Sequence, residues 1–405
     1  MEEKIKFYIS INIKFLLYMI IQIYFFKIKI KYNEINLIKL LYNITNINLY
    51  INYINNCTHL IRFNNESFIR KEYPFLSICI SAYNCENYIE KAVLSIINQS
   101  FRDFEIIIVN DYSIDHTYEI LIKLQKQDER IKIINHSKNL GIYHSRAEGV
   151  LNSKSKYILF LDADDMIFNP FLFEKLYESY LNYNLDIIEY TVFYQIEKRN
   201  KIYCPKESDQ NHYHNYSNKI IYQPELSNII YFKPNSKEYS TVICRTIWSK
   251  IYKKNVILKA IKYIGDFYYN NENIIIAEDT LLNIVIFNFA KNYTNLNIPG
   301  YLYNIRKSSI SHLNDENDYL RKKSISFFLY YFLFYRYIKD FDKDRNYLYY
   351  DLKAFGLYIL NLEKYNSTKH YLKKAKIMFK EILNDYKATV EFKNYIKLNF
   401  KTILK

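Results

Sequence analysis

The sequence predicts an α/β fold, a mainly parallel sheet flanked by helices. Short apolar runs alternate with helix-period stretches between residues 75 and 194. Polar side chains recur at the carboxyl ends of those runs. One run, "YILFLDADDMI" (157–167), drives five largely apolar positions into three carboxylates within four residues.

The elements follow in order. "FLSICISAY" (75–83) reads as a buried strand, and Ile89, Val93, Ile96 and Ile97 then recur at helical spacing. "FEIIIVND" (104–111) and "SIDHTYEILIKLQKQ" (113–127) repeat the strand–helix unit. "RIKIIN" (130–135), a helix from about Ile142, and "KYILFLDADD" (156–165) continue it. Pro170 sits where a helix can start, and "DIIEYTVFY" (186–194) supplies another strand. Alternation at this rhythm implies parallel strands, whose ligands bind beyond the strand carboxyl ends. Ser81, Tyr83, Asp111 and the acids at 162–165 all fall there, so three strands deliver polar groups to one rim.

Outside this region the pattern changes. Residues 7–26 are largely apolar and carry no charge except Lys14, about the length that spans a bilayer. The expectation is a membrane anchor over 1–30 and a stem over 31–73, with the chain membrane-associated through this segment. Lys6 and Lys14 before the charge-free stretch at 15–26 and Lys27, Lys29 and Lys31 after it fix no orientation. A membrane-surface helix or an amphipathic packing helix is the rival reading. From 315 to 405 the chain is Lys- and Tyr-rich with helical periodicity, and a helical C-terminal region is expected. "SISFFLYYFLFY" (324–335) within it is too short to cross a membrane comfortably.

Composition bounds the partners. The net charge is +14, but the lysines are dispersed and no compact Arg-rich block interleaves with aromatics. A phosphate-bearing small substrate fits that surplus as well as a polynucleotide does, and no nucleic-acid partner is expected. Five cysteines at wide spacing, without a CxxC pair, indicate neither a disulfide framework nor a zinc site.

The acids at 162–165 carry the chemistry. Side chains alternate along a strand, so Asp162 and Asp164 share a side and Asp165 takes the other. Two carboxylates on one rim suit Mg²⁺ or Mn²⁺, hard cations that also bind phosphate oxygens. A solvated acidic turn capping the next helix is the plain alternative.

"LSICISAYNCENYIEKAVLSIINQSFRDFEIIIVNDYSID", then "NLGIYHSRAEGV" and "YILFLDADD", resemble the nucleotide-sugar half of family 2 glycosyltransferases. "IWSKIYKKNVI", "AEDTLLN" and "YLYNIRKSSIS" resemble the acceptor half, in order and spacing. The resemblance covers about residues 75–312 and implies a Rossmann-like GT-A domain over 74–314. It implies that Asp162 and Asp164 are the DxD pair, Asp164 on the metal and Asp162 near the ribose. By the same resemblance Ser81, Tyr83 and Asp111 line the base and ribose pocket, and Arg146 faces the nucleotide. Asp279 matches the catalytic base with Glu278 beside it, while Lys250 and Arg306 lie near the acceptor and phosphates. Trp248 is read as a packing anchor and His144 as an ordinary surface or rim group.

The implied activity is inverting, metal-dependent transfer of one hexosyl or N-acetylhexosaminyl unit. Its donor is a nucleotide-diphosphate sugar, its cofactor Mn²⁺ or Mg²⁺, and its acceptor a hydroxyl of a glycan, protein or lipid. One sugar is favoured over processive synthesis because neither a QxxRW motif nor several membrane helices occur. A helix amino end favours an ionised Asp279. The chain departs from the pattern at Asn110 and Tyr112, where the family carries an acid and a glycine, and at Ala147, where it carries Asn. Those departures keep an inactive nucleotide- or glycan-binding relative in view. A nucleotidyltransferase, which shares the layout and the acids, is the third reading; the "AED" and "SIS" blocks argue against it.

Overall fold

The computed structural model describes residues 73–196, 202–203, 219–223, 226, 246–268, 278–306, 317–341, 343 and, with short gaps, 352–404. The chain divides into two units, Met1–Arg62 and Phe63–Lys405, and the described residues all lie in the second. The anticipated anchor and nearly all of the anticipated stem lie outside them. Among the described residues no helix is long and apolar enough to cross a membrane.

The first half follows the anticipated alternation. Strand β1 (Leu76–Ala82) leads to α1 (Ile89–Ile97), β2 (Phe104–Asn110) to α2 (Thr117–Gln127), and β3 (Ile131–Asn135) to α3 (Ile142–Asn152). Strand β4 (Tyr157–Asp162) ends on the first acid of the DxDD run. The two-residue β5 (Met166–Ile167), helix α4 (Leu172–Tyr183) and strand β6 (Ile187–Ile196) come next.

β1 pairs in parallel with β2 on one side and β4 on the other, and β2 pairs in parallel with β3. Strand order therefore runs β3-β2-β1-β4, reversing direction between β1 and β4. At such a reversal the connecting helices leave on opposite faces and a crevice opens at the strand carboxyl ends. The register sets Ser81 directly beside Asp162 across that crevice.

Side-chain alternation sorts the sheet into two cores. Tyr157, Leu159 and Leu161 pack with Ile78, Ile80, Ile106 and α1 on one face. Ile158 and Phe160 pack with Cys79 and Val150 on the other. Helix α3 sits tightly there: a Cβ on Gly149 would lie 3.1 Å from Cys79 Cβ.

The second half makes the sheet mixed. Beyond the two-residue β7 (Ile202–Tyr203) and β8 (Ile221–Tyr222), β9 (Lys250–Lys253) runs antiparallel to both β4 and β6. Helices α5 (Lys254–Tyr268) and α6 (Glu278–Phe289) then lead to β10 (Asn292–Ile305), parallel to β6. The anticipated parallel sheet is thus β3-β2-β1-β4, extended through β9, β6, β10 and β5. Helices α7 (Asn317–Asp340), α8 (Lys369–Asn384), α9 (Val390–Asn399) and α10 (Lys401–Leu404) form the C-terminal region. They share one apolar core with α5 and α6 through residues such as Phe328, Tyr331 and Phe379.

Candidate active site

Arg146 organises the rim. It lies on α3, is 4% exposed, and its Nη2 donates to Asp162 Oδ1 at 2.8 Å. Its Nη1 donates to Glu278 Oε1 at 2.7 Å. An acid closing β4 and an acid opening α6 thereby meet on one guanidinium, which their charges hold protonated against burial. Burial first, then the charge of Asp279, pushes the Glu278 carboxyl up to about 7, with Arg146 pulling the other way. Burial also raises Asp279, which is half-buried, although Arg146 and the Thr280 N–H at 2.7 Å favour its carboxylate. The helix terminus therefore does not by itself set the charge of Asp279; desolvation outweighs it.

The DxDD acids separate by environment. Asp165 is 1% exposed, accepts from the Tyr301 hydroxyl at 2.7 Å and from the Asn304 N–H at 2.8 Å, and burial holds it well above the usual carboxylate range. Asp162 and Asp164 remain partly open, with side chains 25% and 23% exposed. Asp164 Oδ2 is ion-paired with Arg306, whose guanidinium lies 4.2 Å from the centre of the Tyr88 ring. Asp162 Oδ2 and Asp164 Oδ1 have no partner among the described residues. One oxygen from each of two neighbouring carboxylates is a donor set that Mg²⁺ or Mn²⁺ accepts, the remaining positions going to water and phosphate. Among the described residues no group of three or more His, Cys, Asp or Glu is arranged to hold an ion.

The other residues singled out in the sequence distribute unevenly. Ser81 Oγ is buried beside Asp162, with no hydrogen-bond partner among the described residues. Tyr83 is half-exposed past the end of β1. Asp111 is 4% exposed, with Oδ1 accepting from the Leu140 N–H at 2.7 Å and Oδ2 from the Gly141 N–H at 2.8 Å. It thus fastens the loop leading into α3. Lys250 does not reach the rim: its side chain is wholly buried and ion-paired at 3.0 Å with Glu189, equally buried. Trp248 is a packing residue, stacked on Tyr301 and Tyr303 at 5.0 and 5.4 Å between ring centres. His144 is exposed.

His136 escaped the sequence reading. Its ring is 4% exposed, with Nδ1 at 2.7 Å from Asp111 Oδ1 and Nε2 at 2.7 Å from Glu148 Oε2. Only an imidazolium donates from both nitrogens. Burial favours the neutral ring, yet the two carboxylates outweigh it and the pKa is raised. No local pattern marks it, because its partners are 25 and 12 residues away.

Residues 77–260 match the family model described as Glycosyl transferase family 2. Over that stretch, just under half of its length, the chain is similar to this family. The chain is 28% identical over 236 residues to glycosyltransferase GlyA of Streptococcus pneumoniae, covering 58% of this chain and 31% of the relative. It is 28% identical over 240 residues to the uncharacterized glycosyltransferase EpsJ of Bacillus subtilis, covering 59% of this chain and 64% of that one. The chain thus spans less than two-thirds of either relative. In fold the chain resembles S. aureus TarS 1–349, crystallised in complex with UDP-GlcNAc. That likeness has a TM-score of 0.51 at 17% identity over 75% of this chain and 80% of TarS.

Proposed function

We propose that this glycosyltransferase moves one sugar from a nucleotide-diphosphate sugar to a hydroxyl of a glycan, protein or lipid, inverting the anomeric centre. The observation that carries the reading is Arg146 joining Asp162 to Glu278, because it brings the α6 acids to the strand rim at the sheet's reversal point. A crevice with acids on both sides suits a substrate with a charged leaving group on one side and a proton to lose on the other.

Asp279 takes the proton of the acceptor hydroxyl as that oxygen attacks the anomeric carbon. The bond from that carbon to the diphosphate oxygen breaks, and the nucleoside diphosphate leaves with the electron pair. Attack from the face opposite the leaving group gives inversion. Glu278, balanced near neutrality, and Arg146 set the charge around Asp279. Asp162 and Asp164 would hold Mn²⁺ or Mg²⁺, which when bound stabilises the negative charge growing on the diphosphate. The fold shared with TarS, solved with UDP-GlcNAc, supports UDP-linked hexoses and N-acetylhexosamines as the first donors to test. The apolar run at 7–26 supports tethering to a membrane; release of the full-length chain from membranes by high salt alone would overturn that part.

The test is nucleoside diphosphate release from a panel of nucleotide sugars with Mn²⁺, comparing wild type with Asp279→Asn. Turnover in wild type that falls at least about 100-fold in the variant supports the reading. Trp248 is the chain's single tryptophan and stacks on Tyr301, the ring that donates to Asp165 beside the rim acids, so a change in its emission on adding donor is the expected binding readout. Quenching by donor without turnover by any donor would favour the binding-only relative instead.

A further inference from the structure

Two loops meet at the carboxyl ends of β1 and β2. The Asp111 N–H donates to the Ala82 carbonyl at 2.8 Å. One step further out, the Asn84 N–H donates to Ser113 Oγ at 3.0 Å, and the Ile114 N–H donates to Asn84 Oδ1 at 2.9 Å. Tyr83 and Tyr112 each occupy the single position between these inner and outer bonds. The backbone therefore sets them side by side on the rim. The two residues are 50% and 51% exposed. Among the described residues neither ring stacks on another and neither hydroxyl is hydrogen-bonded.

Tyr112 adopts φ 64°, the left-handed region. A bulky side chain there is strained, whereas glycine holds the same turn freely. Strain of this kind persists where surrounding structure or function requires it. Burial does not compensate here, because half of the residue faces solvent. Hydrogen bonds of Asn84, Asn110, Ser113 and Ile114 hold the turn, but they leave the tyrosine ring itself without a stacking or hydrogen-bond contact among the described residues.

We infer that Tyr112 is a specificity-determining residue that, with Tyr83, forms an aromatic platform for the planar nucleobase of the donor. The inference rests on the nucleotide-sugar reading above and adds a residue that the family resemblance marks only as a departure. Every base offers a π-face, so such a platform contributes affinity wherever a base is present and nothing where it is absent. Asp111, one residue before Tyr112, is already engaged by Leu140, Gly141 and His136. The Tyr83 and Tyr112 rings at the same end of the crevice carry no such bonds among the described residues.

The experiment is calorimetric titration of the full chain with UDP and Mn²⁺, in wild type, Tyr112→Phe, Tyr112→Leu and Tyr112→Gly. Pyrophosphate with Mn²⁺ serves as a ligand without a base. Tyr112→Phe should retain UDP affinity, while the Leu and Gly variants bind UDP about tenfold more weakly. Pyrophosphate affinity should be equal in all four. The melting temperature of Tyr112→Gly should equal or exceed that of wild type, since φ 64° suits glycine, which excludes unfolding as the cause. Unchanged UDP affinity in Tyr112→Gly would overturn the inference alone. Failure of wild type to bind any nucleoside diphosphate would overturn the donor reading and this inference with it.

Discussion

Arg146 Nη1 stands 2.7 Å from Glu278 Oε1, across 132 residues of sequence. The same guanidinium bonds Asp162, so one buried cation neutralises acids from both halves of the domain. Replacing it leaves three carboxylates facing one another with little solvent. Arg146→Met is expected to cost about 3–5 kcal/mol in denaturant unfolding, the range for breaking a buried ion pair. It should also abolish donor-induced quenching of Trp248.

Glu278 gives that cluster a pH signature. Its folded pKa of about 7 lies above the ordinary 4.5, so folding favours its protonated form. Its contribution to stability is fully present below pH 4.5 and is lost as pH rises through about 7. Unfolding free energies measured across that range should fall in wild type. The Glu278→Gln variant should lack that component of the slope.

His136 titrates in the same direction by another route. Its raised pKa means that the Asp111–His136–Glu148 clamp is at full strength below pH 6.5 and weakens as pH climbs past the raised value. In His136→Gln that pH-dependent loss should disappear. Hydrogen exchange in loop 136–141 should be faster than in wild type at acidic pH, because the loop has lost its charged tie to Asp111.

Lys250 and Glu189 separate stability from binding. Both side chains are wholly buried, so Lys250→Met leaves a buried carboxylate unpaired and should cost about 3–5 kcal/mol. The double replacement Lys250→Met with Glu189→Leu should recover part of that loss, because the buried Tyr293 hydroxyl then loses its Glu189 acceptor. UDP affinity in the folded double variant should match wild type, since neither side chain reaches the rim.

Gly300 fixes how β10 passes β6. A Cβ there would overlap the Tyr190 ring and lie 2.9 Å from Leu172 Cδ2. Gly300→Ala should lower stability by about 1–3 kcal/mol through overpacking. The same substitution in a Tyr190→Leu background should cost less, a coupling that thermal unfolding in a double-mutant cycle measures.

The parallel half was legible before any coordinates because its information is local. Alternating apolar runs and helical periods over 75–165 set strands, helices and strand ends, and the rim acids followed from those ends. The helix from Ile142 appears where periodicity put it. Strand β10 was not legible: its 14 residues pass through a proline, a glycine and two shifts of register, which hide the period-two pattern. Lys250 read as a rim residue because its position in a motif says nothing about burial. His136 was silent because its meaning lies wholly in two distant carboxylates.

Local pattern thus decided which segments become strands and which acids end them, since strand and helix periods are written in neighbouring residues. Packing alone decided that Arg146 joins Asp162 to Glu278, that Asp164 meets Arg306, and that Tyr112 pairs its strained backbone with an exposed ring beside Tyr83. Those relations depend on charges and surfaces brought together from remote parts of the chain, and no nearby residue encodes them.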